Sequence, residues 1–140
     1  MIHEEQAGRL NTLLRAELAA VAAYQHSLRS LDGPFRDKLE QIRGFAAAHQ
    51  RTVAALQECI RTLGGIAAAE PGTWGSFVIL RDAASVRQLI GAEETGLARY
   101  EAVLPSLDGE VRDLVALELI PRQRVHVATL HGLLRDIGPV

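Results

Sequence analysis

The sequence predicts an all-α protein, a four-helix bundle built from two helical hairpins joined by a long crossover. Three observations predict it. Apolar residues recur at alternating spacings of four and three through four long stretches, the rhythm of a bundle seam. Two of the joints between these stretches are short and contain glycine, whereas the middle one runs over residues 65–82. The chain also repeats itself, residues 16–37 matching residues 92–113 at 11 of 22 positions without a gap.

The first helix is expected over about residues 3–30, with Leu10, Leu14, Glu17, Val21, Tyr24, Leu28 and Leu31 on its inward stripe. Asp32, Gly33 and Pro34 break the pattern with a cap, a flexible joint and a residue favoured in a first helical turn. The second helix, about 34–64, carries the clearest stripe: Phe35, Leu39, Ile42, Ala46, His49, Val53, Leu56, Ile60 and Leu63. Gly64 and Gly65 supply its left-handed C-cap.

The segment 65–82 contains Pro71, Gly72, Trp74 and Gly75. Extended, some 18 residues reach about 60 Å, whereas a helix of about 30 residues is about 45 Å long. The segment can therefore cross the whole bundle and set the second and third helices parallel, with Trp74 pinning it to the surface. Ser85 and Gln88 form a capping-box pattern that starts the third helix, expected over 83–105, or marks its first turn. Its stripe is Val86, Ile90, Glu93, Leu97, Tyr100, Leu104 and Leu107, so Glu93 points inward and Glu94 does not. A joint at Asp108 and Gly109 leads to the fourth helix, about 109–136, which Gly138 and Pro139 end.

Within the repeat, Glu17 corresponds to Glu93 and Tyr24 to Tyr100. Beyond it the offset grows from 76 to 77, aligning His49 with His126, so one extra residue has entered the fourth helix. Pro121 lies in that interval, and a departure from regular helix is expected between residues 117 and 122.

Composition narrows the function. At 140 residues, 48% hydrophobic and 23% charged, one domain over 1–140 with a real core is expected. A net charge of −2, with no basic run, gives no case for nucleic acid. No stretch has the length of a membrane span, and the first residues carry His3, Glu4 and Glu5 without an apolar signal core. The single cysteine, Cys59, excludes an internal disulfide and suits the reducing cytoplasm. No phosphate-binding glycine loop, nucleophile elbow or paired cysteine motif is present.

The chemistry therefore rests on Glu17, His49, Glu93 and His126, one from each helix, each in a slot where an apolar residue belongs. Buried charge is costly unless paired or metal-bound. Two answers stay open. Two imidazoles and two carboxylates suit zinc, iron or manganese, or the four form a buried hydrogen-bonded network neutralised by Arg122. Tyr24 and Tyr100 reach these carboxylates through a water at best, and Glu118 takes the inward place that Ile42 holds in the first hairpin. His3, His26 and His131 read as surface residues, and Cys59 as a buried, inert thiol.

Two hairpins with a long crossover resemble the ferritin-like superfamily over nearly the whole chain. That superfamily carries a Glu on helices 1 and 3 and a Glu-x-x-His on helices 2 and 4, which together hold two metal ions. Glu17 and Glu93 match the lone carboxylates, and His49 and His126 the histidines. The remaining carboxylate positions hold Ala46 and Gln123, or Arg122 if the extra residue lies further along. Losing both bridging carboxylates argues against a working di-metal oxidase.

A narrower resemblance, to small bacterial ferritin-like bundles catalogued as a domain of unknown function, rests on three stretches. They are Gln50-Arg51 with Leu56-Gln57 and Leu63-Gly64-Gly65; Glu93-Glu94 with Leu97, Tyr100 and Glu101; and Arg122-Gln123 with His131. It implies homo-oligomers, a dimer first. The expected function is a non-catalytic bundle with a degenerate di-metal centre and a structural, stress-associated or self-associating role. The alternative is a metal-binding protein that uses the reduced two-Glu, two-His site for storage or oxidation.

Overall fold

The computed structural model describes residues 2–29, 33–72, 80 and 82–137. Helix α1 spans Ile2–Arg29. A 3-10 turn at Gly33–Lys38 leads into α2, Leu39–Thr62, so the second helix opens more tightly wound than the expected start at 34. Helix α3 spans Ala83–Val103 and ends in a 3-10 turn at Leu104–Ser106, where Pro105 stands. The fourth helix of the bundle comes in three parts: α4 at Gly109–Leu114, a π-helical turn at Val115–Leu119, and α5 at Ile120–Asp136. No described helix is long and apolar enough to cross a membrane.

Two core clusters fix the helix directions. One joins Ala20 and Tyr24 of α1, Ile42 and Phe45 of α2, Val86 and Leu89 of α3, and Leu130 and Leu133 of α5. The other joins Leu10 and Leu14 of α1, Leu56 and Ile60 of α2, Tyr100 of α3, and Val111 and Val115 of the fourth helix. Each end of the bundle thus collects the late part of α1, the early parts of α2 and α3, and the late part of the fourth helix, or the reverse. Helices α1 and α2 are antiparallel, α2 and α3 parallel, and α3 and the fourth helix antiparallel, as the long middle connection requires.

The described residues of the crossover touch α1 at Ala7, Asn11, Arg15 and Ser27. A Cβ on Gly65 would lie 3.0 Å from the Ala7 Cβ, a tight approach that a side chain there could make only by displacing its neighbour. Asn11 then donates to the Ile66 carbonyl at 2.9 Å and accepts from the Ala68 amide at 2.7 Å. Further along, the Gly72 amide donates to the Arg15 carbonyl, and the Leu80 amide to the Ser27 hydroxyl. These polar contacts hold the described part of the crossover; the expected pin, Trp74, lies outside the described residues, as do Leu31, Asp32, Gly138 and Pro139.

Three local expectations change. The capping box of α3 is formed by Asp82 and Ser85, not by Ser85 and Gln88, so Ser85 marks the first turn and Asp82 is the cap; Asp82 accepts the Ser85 amide at 2.9 Å. On α1, Val21 and Leu28 are only half-buried, and Ala20, Ala23 and Ser27 take the interior. Small residues there let the crossover and neighbouring helices come close. Glu118 is exposed rather than inward, because the π turn it belongs to rotates it out.

That π turn accounts for the changed repeat offset. A π turn accommodates one extra residue without shifting the helix on either side. It stands at 115–119, slightly earlier than expected, and closes two residues before Pro121, which has no amide to continue a regular ladder. Both Val111 and His126 consequently face the interior.

Candidate metal centre

Glu17, His49, Glu93 and His126 are all buried at mid-height, between the two core clusters. His49 stands between the two carboxylates. Its Nδ1 meets the Glu17 carboxylate, and its Nε2 lies 2.7 Å from Glu93 Oε2. The Nε2 of His126 lies 2.6 Å from that same Glu93 oxygen. One oxygen of Glu93 therefore faces the Nε2 atoms of both histidines.

The tyrosines bond directly, with no water between, and they do so across the hairpins. Tyr24 of α1 donates to Glu93 of α3 at 3.1 Å, and Tyr100 of α3 donates to Glu17 of α1 at 2.8 Å. Gln123 replaces the expected helix 4 carboxylate, and its amide donates to Glu93 Oε1 at 3.1 Å and to the Glu93 main-chain carbonyl at 3.0 Å. Arg122 does not act as the expected neutralising partner; it reaches across to Thr52, donating to its hydroxyl at 3.3 Å. Ala46 is a buried core residue without a donor atom.

Burial alone would push the His49 imidazolium to lower pKa, but the charges of Glu17 and Glu93 outweigh it and raise the pKa to about 10. For Glu93 burial would favour the neutral acid. The charge of His49 and the hydrogen bonds of His126 and His49 overturn that and hold the carboxyl well below its usual range. Burial, helped by Glu93 beside Tyr24 and Glu17 beside Tyr100, pushes both phenols well up, so both stay donors.

His49, Glu93 and His126 each offer one ligand atom to a group in which all three atoms lie within 4.8 Å of one another. Glu17 is placed behind His49, on the far ring nitrogen, and is not in that group. Two participants are not among the residues the sequence singles out. Phe45 packs its ring 4.7 Å from that of His126 and 5.7 Å from that of Tyr24; its place four residues before His49 is the available signal. Thr52 is the acceptor that draws Arg122 aside, and nothing in the sequence marks it.

His3, His26 and His131 are exposed, as expected of surface residues. Cys59 is half-buried rather than buried, and burial together with Glu58, Glu110 and Glu118 pushes its thiol up, away from the reactive thiolate.

No family model matches the chain, and no curated protein sequence does. Among solved structures it is similar to a ferritin-like, diiron-carboxylate protein from Bacillus anthracis str. Ames. The match has a TM-score of 0.80 and 20% identity, and covers 96% of this chain and 99% of that one. The fold is ferritin-like. Within this ferritin-like bundle the donor set departs from the four carboxylates and two histidines that hold two metal ions in such proteins. Ala46 and Gln123 remove two carboxylates, and Glu17 and Glu93 are the two that stay. The residues present do not fit a dinuclear centre. They do fit one ion, held by two imidazoles and one carboxylate.

Proposed function

We propose that this ferritin-like bundle binds a single divalent metal ion through His49 Nε2, His126 Nε2 and Glu93, and that it is not a two-metal oxidase. The observation that supports this is the meeting of three ligand atoms within 4.8 Å. Two histidines and one carboxylate are a set that zinc and iron(II) accept, with coordination positions left open. A metal bound there supplies Lewis acidity and, if it is iron or manganese, one-electron chemistry.

The surrounding residues prepare that set. Glu17 takes the Nδ1 hydrogen of His49 and so aims Nε2 at the centre, a carboxylate-histidine arrangement common behind metal ligands. Gln123 and Tyr24 hold the Glu93 carboxylate in place, and Tyr100 holds Glu17. Loading requires His49 to release its Nε2 proton while Nδ1 keeps its own on Glu17.

A second reading, a structural bundle that self-associates as a dimer in the cytoplasm, is supported by a different observation. Each carboxylate oxygen of Glu17 and Glu93 already has an internal partner, so the network closes on itself. Leu117, 72% exposed on the π turn, offers an apolar surface for pairing. Elemental analysis of protein purified without chelator separates the two. The metal reading expects about one ion per chain, lost in His49→Ala; the structural reading expects none, with Glu17→Gln tolerated.

A further inference from the structure

A groove of about 450 Å³ runs between α2 and α5, outside the polar centre. Its size is in the range of small-molecule sites. The bond from Arg122 to Thr52 and the ring contact between His126 and Phe45 set the two helices in antiparallel register. In that register Arg51 and Arg122 line one end of the groove, and Gln41 and Thr129 the other. Between them lie Gly44, Phe45, Ala48 and Val125, with His126 at the inner wall. The ends are about 15 Å apart, ten residues of helix at 1.5 Å each.

Three features point to an organic anion. No Asp or Glu lines the groove, whereas two arginines, Arg51 and Arg122, do. Among the described residues, Arg122 bonds only the neutral Thr52 hydroxyl, and Arg51 has no ion pair. The middle is apolar and held open by small residues; a Cβ built on Gly44 meets nothing within 4 Å, and Val125 stands 67% exposed beside it. A solvent-facing valine over an open glycine is surface that burial under an apolar body would stabilise.

We propose that this groove binds a small carboxylate with an apolar body, its head held by Arg51 and Arg122 and its body lying over Gly44, Ala48 and Val125. Planar, forked guanidiniums suit a carboxylate head. Binding there does not depend on metal occupancy. Of the lining residues, His126 belongs to the polar centre and Phe45 packs against its ring, while the others offer it no ligand, so metal content and anion binding can be read separately.

The test is isothermal titration of the whole chain with octanoate, with octanol as the body alone and inorganic phosphate as a head alone. Octanoate is expected to bind with a dissociation constant below about 1 mM, at least tenfold tighter than either partial probe. Gly44→Leu, at a position where a Cβ meets nothing within 4 Å, carries its side chain into the groove and should abolish binding while metal content and Tm hold. Arg122→Gln should weaken octanoate about tenfold, and the exposed Arg51→Gln gives the same readout if loss of the Thr52 bond unfolds the former. Octanoate binding no tighter than octanol, or surviving Gly44→Leu, overturns the proposal. So does a dimer that Gly44→Leu converts to monomer in sedimentation, since the occupant would then be a second copy.

Discussion

Tyr100 and Glu17 meet across the bundle at 2.8 Å, and their repeat counterparts Tyr24 and Glu93 meet at 3.1 Å, each tyrosine serving the carboxylate of the opposite hairpin. The duplication therefore interlocks its two halves at the polar centre. The two pairs are not equally exposed to loss. Glu17 has Tyr100 and His49 as partners, whereas Glu93 has Tyr24, His49, His126 and Gln123.

Tyr100→Phe should consequently destabilise more than Tyr24→Phe. Removing the Tyr100 hydroxyl leaves a buried carboxylate oxygen unpaired, at a cost of about 1–3 kcal/mol, while Glu93 retains three other partners. Urea denaturation of both variants checks this, and an equal or reversed order would count against the pairing.

Glu17→Gln separates a positioning role from a liganding one. If Glu17 only aims His49, a chelator competition should show metal affinity reduced roughly 10- to 100-fold. Glu93→Gln removes a ligand outright and should abolish measurable binding. Equal losses in the two variants would place Glu17 on the metal.

The metal-free protein should have a defined pH window of greatest stability. The raised pKa of His49 contributes stability that is complete below its unfolded value of 6.5 and is lost as pH rises through about 10. The lowered pKa of Glu93 contributes stability present above its unfolded value of 4.5 and lost as pH falls toward the folded value. Tm in chelator should thus peak between 4.5 and 6.5 and fall on both sides. A tenfold change in a proton-binding constant between the unfolded and folded chain is about 1.4 kcal/mol, so the alkaline loss should reach a few kcal/mol, and His49→Leu should flatten it. A Tm that stays level from neutral pH to 10 in the native chain would contradict the assignment.

The π turn predicts an asymmetry between deletions. Removing Leu117 together with Pro121→Ala should leave a regular helix with Val111 and His126 still facing inward, and Tm should hold or rise. The substitution is needed because a proline inside a regular helix costs about 3 kcal/mol. Deleting Arg124 instead, within regular α5, rotates His126 and everything beyond it by about 100° relative to the preceding helix. That variant should melt far lower and lose metal. Circular dichroism melts of the two deletions are the check.

Most of the fold and the membership of the polar centre are legible in residue order. The four-three rhythm shows which stretches are helices and which face turns inward, because a helix that hides one stripe must repeat it every three or four residues. Chain length between stretches selects the parallel α2 and α3, since only a long connection can return across a bundle. The repeat offset locates the extra residue, because a duplicated hairpin provides its own ruler. All of these are properties of order and spacing along one dimension.

What the tertiary structure alone decides is orientation within the site. Periodicity places Glu17 on the inner face but leaves open which ring nitrogen of His49 it meets, and that choice separates a ligand from a residue behind one. The same holds for Arg122, which goes to Thr52 while its neighbour Gln123 turns to Glu93. It holds for the tyrosines, which bond to the opposite hairpin without a water between. These outcomes depend on helix rotation and side-chain torsions. Both are set by how four helices pack against one another at once, and no single helix encodes them in its spacing.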